Sequence, residues 1–422
     1  MLRSTEVHGE VVAGRITDKD GRLIVAGSDG PGNDAFSRQR VSNPEYVFDA
    51  QFEYDLQPLL YEAVTAETGA TVTHDATNRN ALFTFSSTPT GGESYIQTYE
   101  HFRYQAGRSQ LVMTTFNFIE TAADTVKFAG YSDGNNGVEL RQTGSDVSID
   151  LLSDTSKGDE SVAQADWNID PLDGTGASGF NLDLTKTQIL VIDFQWLGVG
   201  RVRVGFDLGG EILYCHEFTH ANVQTVAYMQ TANLPLRVGM TASDTASTTM
   251  RAICSSVTSE GGQLDVGGYQ FSTSAAVTAG SGTRTHVLSV RPKTTFNSIT
   301  NRSKFILEHI DVVVTGSNPV KWELCLGQAI TGASYSDVNS TYSGSEMSAG
   351  TISGSAAITI AQGYVPASNR SKGEVSRLVS NRYPITLDAA GAVRALGTLS
   401  MVATGIGGTS ATQAILNWRE VR

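Results

Sequence analysis

The segment from Thr187 to Phe218 constrains the fold more than any other. TQILVIDFQW is apolar at nearly every position, as a strand buried on both faces must be. RVRVGFDL then alternates strictly: Val202, Val204, Phe206 and Leu208 fall on one side, Arg201, Arg203 and Asp207 on the other. A strand, with its side-chain period of two, separates these sets cleanly. Gly209-Gly210 offers two adjacent residues free to adopt positive φ, and EILYCHEF follows as a returning strand. The pattern predicts a hairpin beside a central strand. The outward arginines, 201 and 203, are expected to face solvent, where as a pair they could grip an anion.

The same texture runs through most of the chain. QLVMTTFNF, GVELRQTGSDVSIDLL, THVLSVRP, FILEHIDVVVTG, VKWELCLGQAI, LGTLSMVATG and AILNWREV have strand composition, separated by turns rich in Gly, Asn and Asp. Amphipathic helical periodicity is nearly absent; LQPLLYEAVTAE (56–67) is the best helix candidate and reads equally well as strand and loop. Charged residues make up 17% of the chain, against roughly 25% in an average soluble protein. Thr, Ser, Val and Gly take their place, which removes good helix formers and adds strand and turn formers. The expected fold class is all-β: two β-sandwich, jelly-roll-like domains behind an extended N-terminal arm. No fixed-period repeat suggests a propeller or β-helix.

The chain of 422 residues is too long for one ordinary core. Residues 1–40 read as a docking arm, with a strand over Glu10 to Ile16, a hairpin turning at Asp20-Gly21, and a Gly/Pro/Asn-rich loop. Residues 41–265 read as a central sandwich and 266–422 as a C-terminal one. The net charge of −13 repels phosphate backbones, so nucleic acid is not an expected partner. The longest apolar runs are too short to span a bilayer, and the N-terminus lacks the apolar core of a signal peptide. Cys215, Cys254 and Cys325 are scattered and odd in number, which suits free thiols and synthesis in a reducing cytoplasm.

One motif suggests chemistry. His216-Glu217-Phe218-Thr219-His220 matches H-E-x-x-H, in which two histidines one helical turn apart bind zinc and the glutamate activates water. Here it continues an alternating strand, where residues four apart are separated by about 13 Å. His216, Glu217 and His220 are therefore read as structural, and no metal or cofactor is expected. SDGNNG (132–137) is an oxygen-rich turn that could hold calcium, and reads more simply as a polar turn. A glycosidase would need two carboxylates facing each other across a groove, which sequence alone does not place. Of the four tryptophans, Trp196 and Trp322 are expected in the core. Trp167, in the polar stretch QADWNIDPLDG, is the candidate glycan contact.

Several segments taken together resemble a family of tailed-bacteriophage virion structural proteins. They are DAFSRQRVSNPEYVFDAQFEYDLQPLLYE from Asp34, FRYQAGRSQL (102–111), DFQWLGVGRVRVGFDLGGEILYCHEFTHAN (193–222), YMQTANLPLR (228–237), and the C-terminal SVRPKTTFN, NPVKWEL, QGYVPAS and LNWREVR. The likeness covers most of the chain from residue 34 onward. It implies a concanavalin- or laminin-G-like central sandwich and a non-enzymatic subunit of the virion: a fibre, spike or decoration protein on head, neck or tail, made in the bacterial host cytoplasm. It also implies contacts with other virion proteins through the arm, whose first 33 residues lie outside the likeness. A homo-oligomer is expected, with a trimer favoured. The alternatives are a glycan-binding adhesin on the host surface and a polysaccharide depolymerase.

Overall fold

The computed structural model describes residues 32–40, 44–262, 267–356, 358–374 and 384–422, the backbone alone over 370–374. The expected strand over 10–16 and the turn at Asp20-Gly21 lie outside the described residues. Among those described there is no α-helix, only two short 3-10 turns, so the all-β expectation holds. The strands form jelly-roll-like sandwiches.

The first large sheet has eight strands. In spatial order they are Ile212–Phe218, Val202–Asp207, Gln188–Phe194, Ser109–Asn117, Ala246–Glu260, Asn80–Thr88 and Ala70–Asp75, with Glu45–Gln51 also paired to Ala246–Glu260. The second has seven: Glu160–Ala163, Asp146–Leu152, Gly137–Gly144, Ala122–Ser132, Leu236–Ala242, Glu93–Thr98 and Tyr61–Ala66. Every pairing in both is antiparallel. Their inner faces close on one core, in which Val112, Phe116, Leu190, Ile192, Val204 and Phe206 meet Ile96, Tyr131, Leu140, Ile149, Val238 and Met240. A fully buried side chain of this size contributes about 1.5–3 kcal/mol, against about 0–1 for a surface ion pair, so the inner faces hold the sandwich.

The predicted hairpin is present. Gln188–Phe194 is an interior strand buried along nearly its whole length. Val202, Val204 and Phe206 are fully buried, and Gly209 and Gly210 turn the chain at φ 77° and 96°. The helix candidate at 56–67 forms instead a tight turn and the strand Tyr61–Ala66, where Ala63 and Val64 pair with Ile96 and Tyr95. Strand pairing overrides a helical propensity that was weak to begin with.

Residues 269–421 build a four-stranded sheet of Tyr269–Ala279, Ser410–Val421, Lys304–Val314 and Arg370–Glu374. A six-stranded sheet runs Ile330–Asp337, Ser345–Ile352, Thr285–Pro292, Leu399–Gly405, Val320–Leu326 and Ile358–Val365. Leu288, Leu307, Ile310, Leu324, Met401, Leu416 and Trp418 belong to a second core. Glu420, fully buried, ties this sandwich together by accepting from the Ser343 and Ser345 hydroxyls, the Gly344 N–H and Trp418 Nε1.

A polar cleft between the two sandwiches

Loops from both sandwiches enclose a cleft of about 640 Å³. From the first come Asp133, Asn135 and Asn136 of the Ser132–Gly137 turn, Asp154 beyond the strand Asp146–Leu152, Gln230 and Asn233 ahead of Leu236–Ala242, and His101 beyond Glu93–Thr98. From the second come residues 296–303, Ala389, Ala390 and Arg422. The polar wall is held rigidly. Asp133 Oδ1 accepts from the Asn135 and Asn136 N–H groups at 2.9 and 2.7 Å. Asn136, 2% exposed, accepts from the backbone N–H groups of Asp154 and Gln230 and so joins three loops. The turn suspected of holding calcium thus forms one wall of this cleft.

The opposite wall is partly apolar. Ile299 is 72% exposed, and Phe296 lies under the Arg422 guanidinium at 4.2 Å. The exposed Tyr269 ring is on Arg422 as well, at 5.3 Å. His101 and Arg302 also line the cleft. His101 is 5% exposed, its ring hydrogen-bonds the Tyr99 carbonyl, and its Nε2 has no partner. Burial, helped by the nearby Arg302 charge, drives its pKa down to about 3, so the imidazole is neutral at ordinary pH. Arg302 donates Nη1 and Nη2 to the carbonyls of Asp388 and Ala389 at 2.6 and 2.9 Å. Burial lowers its pKa as well. Lys304–Glu100 at 2.6 Å and the Ala389 N–H to Glu62 at 2.7 Å join the two sandwiches beside the cleft.

A second polar assembly lies on the outer face of the first sheet. Asp193, fully buried, is the direct cross-strand partner of Arg203 and meets its Nη2 at 2.6 Å. It also accepts from Arg40 Nη2 (2.7 Å), Tyr214 Oη (2.9 Å), Ser109 Oγ (2.7 Å) and the Ala35 N–H (3.2 Å). Arg40 continues to Glu260 at 2.5 Å. The solvent-facing expectation for Arg203 is therefore wrong: the residue is 1% exposed, stacked over Tyr214 and bound to the Asn33 carbonyl. Residues 32–40 cover that face, so the last part of the expected arm is packed onto the sandwich. Glu260 faces a neighbouring cavity beneath this segment, and burial beside Asp193 raises its pKa.

The H-E-x-x-H residues lie on the edge strand Ile212–Phe218 and just beyond it. His216 accepts the Asn168 N–H at Nδ1, and His220 Nδ1 contacts the Gly200 carbonyl at 2.7 Å. Phe218 packs against both rings, and His220 stacks on Tyr228 at 4.1 Å, so the two imidazoles do not converge on one point. Glu217 turns the other way, toward Arg201 at 3.5 Å. Burial lowers the pKa of both histidines.

Trp167 corrects another expectation. It is 4% exposed and donates Nε1 to the Val162 carbonyl, because the 3-10 turn Gln164–Asp166 folds its polar loop back onto the core. It presents no face to a sugar. Trp196, half-buried, donates to the Met229 carbonyl, and Trp322 is buried as expected.

About half of the chain is similar to solved β-sandwich structures. An endo-1,3-β-glucanase from Streptomyces sioyaensis is 13% identical over 52% of this chain and 97% of its own, with a TM-score of 0.37. A carbohydrate esterase from the Shiga toxin-encoding bacteriophage phi24B is 12% identical over 51% and 99%, with a TM-score of 0.31. A pseudo β-1,3-glucanase of Mycobacterium tuberculosis is 10% identical over 50% and 98%, with a TM-score of 0.33. No protein-family model matches the chain, and no curated protein does. The expectation that the chain is not an enzyme is corrected here. The similar structures include glucanases and an esterase; a fold does not by itself decide function, and an all-β sandwich gives no ground for setting catalysis aside.

Proposed function

We propose that this chain engages polysaccharide through the cleft between its sandwiches, as a host-attachment subunit of a tailed-phage particle. The cleft carries the reading. Sugars present dense hydroxyl groups and apolar C–H faces. The cleft offers the amides and carboxylates of Asn135, Gln230, Asn233, Asp133 and Asp154 opposite Phe296 and Ile299. Its volume of about 640 Å³ lies within the range of small-molecule sites, roughly 300–1,000 Å³, and junctions between folded units are where such sites concentrate. The virion assignment rests on the sequence resemblance. The protein is then made in the host cytoplasm, carried on the particle, anchored by residues before 32, and assembled as a homo-oligomer.

A second reading shares the same site. Asp133 and Asp154 both line it, and two carboxylates flanking a glycosidic bond are what hydrolysis requires. One experiment addresses both. The purified chain is incubated with surface polysaccharides of candidate hosts, bound sugar is measured, and products are followed by mass spectrometry. Binding that is lost in Gln230→Ala is the expected result. Shortened or deacylated products would favour the enzymatic reading, and no binding to any polysaccharide would remove both. Mass spectrometry of particles tests the virion assignment separately.

A further inference from the structure

An edge strand presents N–H and C=O groups that can pair with another chain, and proteins block this with charge, proline, a bulge or a short strand. Several edges of the large sheets are blocked in this way. Ile212–Phe218 carries Glu217, and Ala70–Asp75 ends on Asp75. Glu160–Ala163 has only four residues, and Tyr61–Ala66 carries Glu62. Ile330–Asp337 ends on Asp337, and its ladder is irregular between Thr331 and Ser334. Ile358–Val365 is uncharged, but its ladder shifts register at Leu324/Cys325.

The edge strand Tyr269–Ala279 has none of these devices. It runs for 11 residues, longer than the edges just named. Its ladder is unbroken, from Tyr269 opposite Glu420 to Ala279 opposite Ser410. No Asp, Glu, Lys, Arg or Pro occurs between Asp265 and Arg284. Phe271, Ala275 and Val277 pack on the second core, which fixes the strand in place. Gln270, Ser272, Ser274, Ala276 and Thr278 are exposed, a neutral row of mostly small side chains. Among the described residues, Ser410–Val421 is the only strand paired with it.

We propose that Tyr269–Ala279 is a subunit contact, pairing antiparallel with the same strand of a second copy of this chain. The two four-stranded sheets then join into one of eight. Charge selects this occupant. Each chain carries a net charge of −13, so two copies repel one another over most approaches. A long edge without charge is where they can meet with no like charges opposed. Full overlap centres on Ser274, which then faces its own copy, with Ser272 opposite Ala276. Such a contact is isologous and closes as a dimer, which makes the homo-oligomer proposed above a two-fold pair. It does not depend on what the cleft binds.

The test measures the mass of the full chain by light scattering over a concentration series. The native chain should be dimeric. Ser274→Lys sets two like charges face to face and should leave monomer where the native chain is a dimer. Residue 274 is exposed in the single chain, and a circular dichroism spectrum matching the native one checks the fold. Ser334→Lys, on the blocked edge Ile330–Asp337, should stay dimeric. Ser274→Cys should give a covalent dimer on mild oxidation that the native chain does not, since facing residues of an antiparallel pair lie within disulfide range. A native chain that is monomeric or trimeric would overturn the inference. So would a dimer that persists in Ser274→Lys, or a failure of Ser274→Cys to cross-link.

Discussion

Replacing Asp193 by alanine should loosen the first sandwich and release residues 32–40 from it. The carboxylate is fully buried and receives five hydrogen bonds, from Arg203, Arg40, Tyr214, Ser109 and the Ala35 N–H. At about 1.5–3 kcal/mol each for a charged acceptor, the gross sum is about 7–15 kcal/mol. Desolvating the carboxylate and the arginines takes back most of that, and breaking a buried pair by removing one partner costs about 3–5 kcal/mol net. The cost arises because Arg203 cannot escape: at 1% exposure it is enclosed by Tyr214 and the Asn33 carbonyl. The assay is urea-dependent proteolysis read by mass spectrometry, following peptides from residues 45–260 separately from those of 269–421. With a urea slope near 3 kcal/mol/M, the midpoint for the first set falls by about 1–1.7 M. The second set should hold its midpoint, since its core is separate. Cleavage within residues 32–40 should appear at lower urea than in the native protein. A midpoint shift below about 0.3 M would refute the reasoning, because it would mean the arginines are stabilised as well by each other's surroundings as by Asp193.

Two further outcomes follow from the buried groups. His101 keeps a neutral ring down to about pH 3 in the folded chain, whereas an unfolded histidine protonates near 6.5. The unfolded state therefore takes up the proton first, and stability is lost as pH falls from about 6.5 to about 3. His216, His220 and His286 act in the same direction. Thermal denaturation between pH 7 and 4 should show a shallower decline in His101→Gln than in the native protein, and parallel curves would count against it. For Trp167→Phe, stability should drop by about 1–3 kcal/mol through lost packing and the lost Val162 bond, with sugar affinity unchanged. Weakened binding in a folded Trp167→Phe protein would restore Trp167 as a contact.

Legibility in the sequence followed the range of the interaction. The hairpin around Gly209-Gly210 could be read because period-two alternation and a glycine turn are local. The weak helix candidate at 56–67 resolved into strand because its partner, Glu93–Thr98, lies some distance away in sequence. Arg203 was misplaced for the same reason. Alternation assigned it correctly to the outer face, but whether that face meets water depends on Asn33 to Arg40, which cover it from far upstream. One local signal did exist: a lone aspartate within an otherwise apolar central strand demands a buried cation, and Arg203 is its cross-strand neighbour. Trp167 was judged by its polar sequence neighbours, yet three residues of 3-10 turn suffice to fold the indole inward. The cleft as a whole had no sequence signature, because loops spread from His101 to Arg422 build it, and only its SDGNNG turn stood out.

The two polar assemblies also separate structure from function on physical grounds. Asp193 and the arginines around it compensate one another, and a ligand could add nothing there without displacing protein donors. Arg302 is different: it holds the Asp388–Ala389 loop through two neutral carbonyls, with Asp133, Asp388 and Glu62 near enough to stabilise its charge. Arg302 also lines the cleft, so bracing the loop and contacting a ligand are both open to it. The distinction is measurable. If Arg302 only braces that loop, Arg302→Gln lowers stability equally with and without sugar. If it also contacts a ligand, a polysaccharide that binds the cleft raises the thermal midpoint of the wild-type chain, and that increment shrinks in the variant.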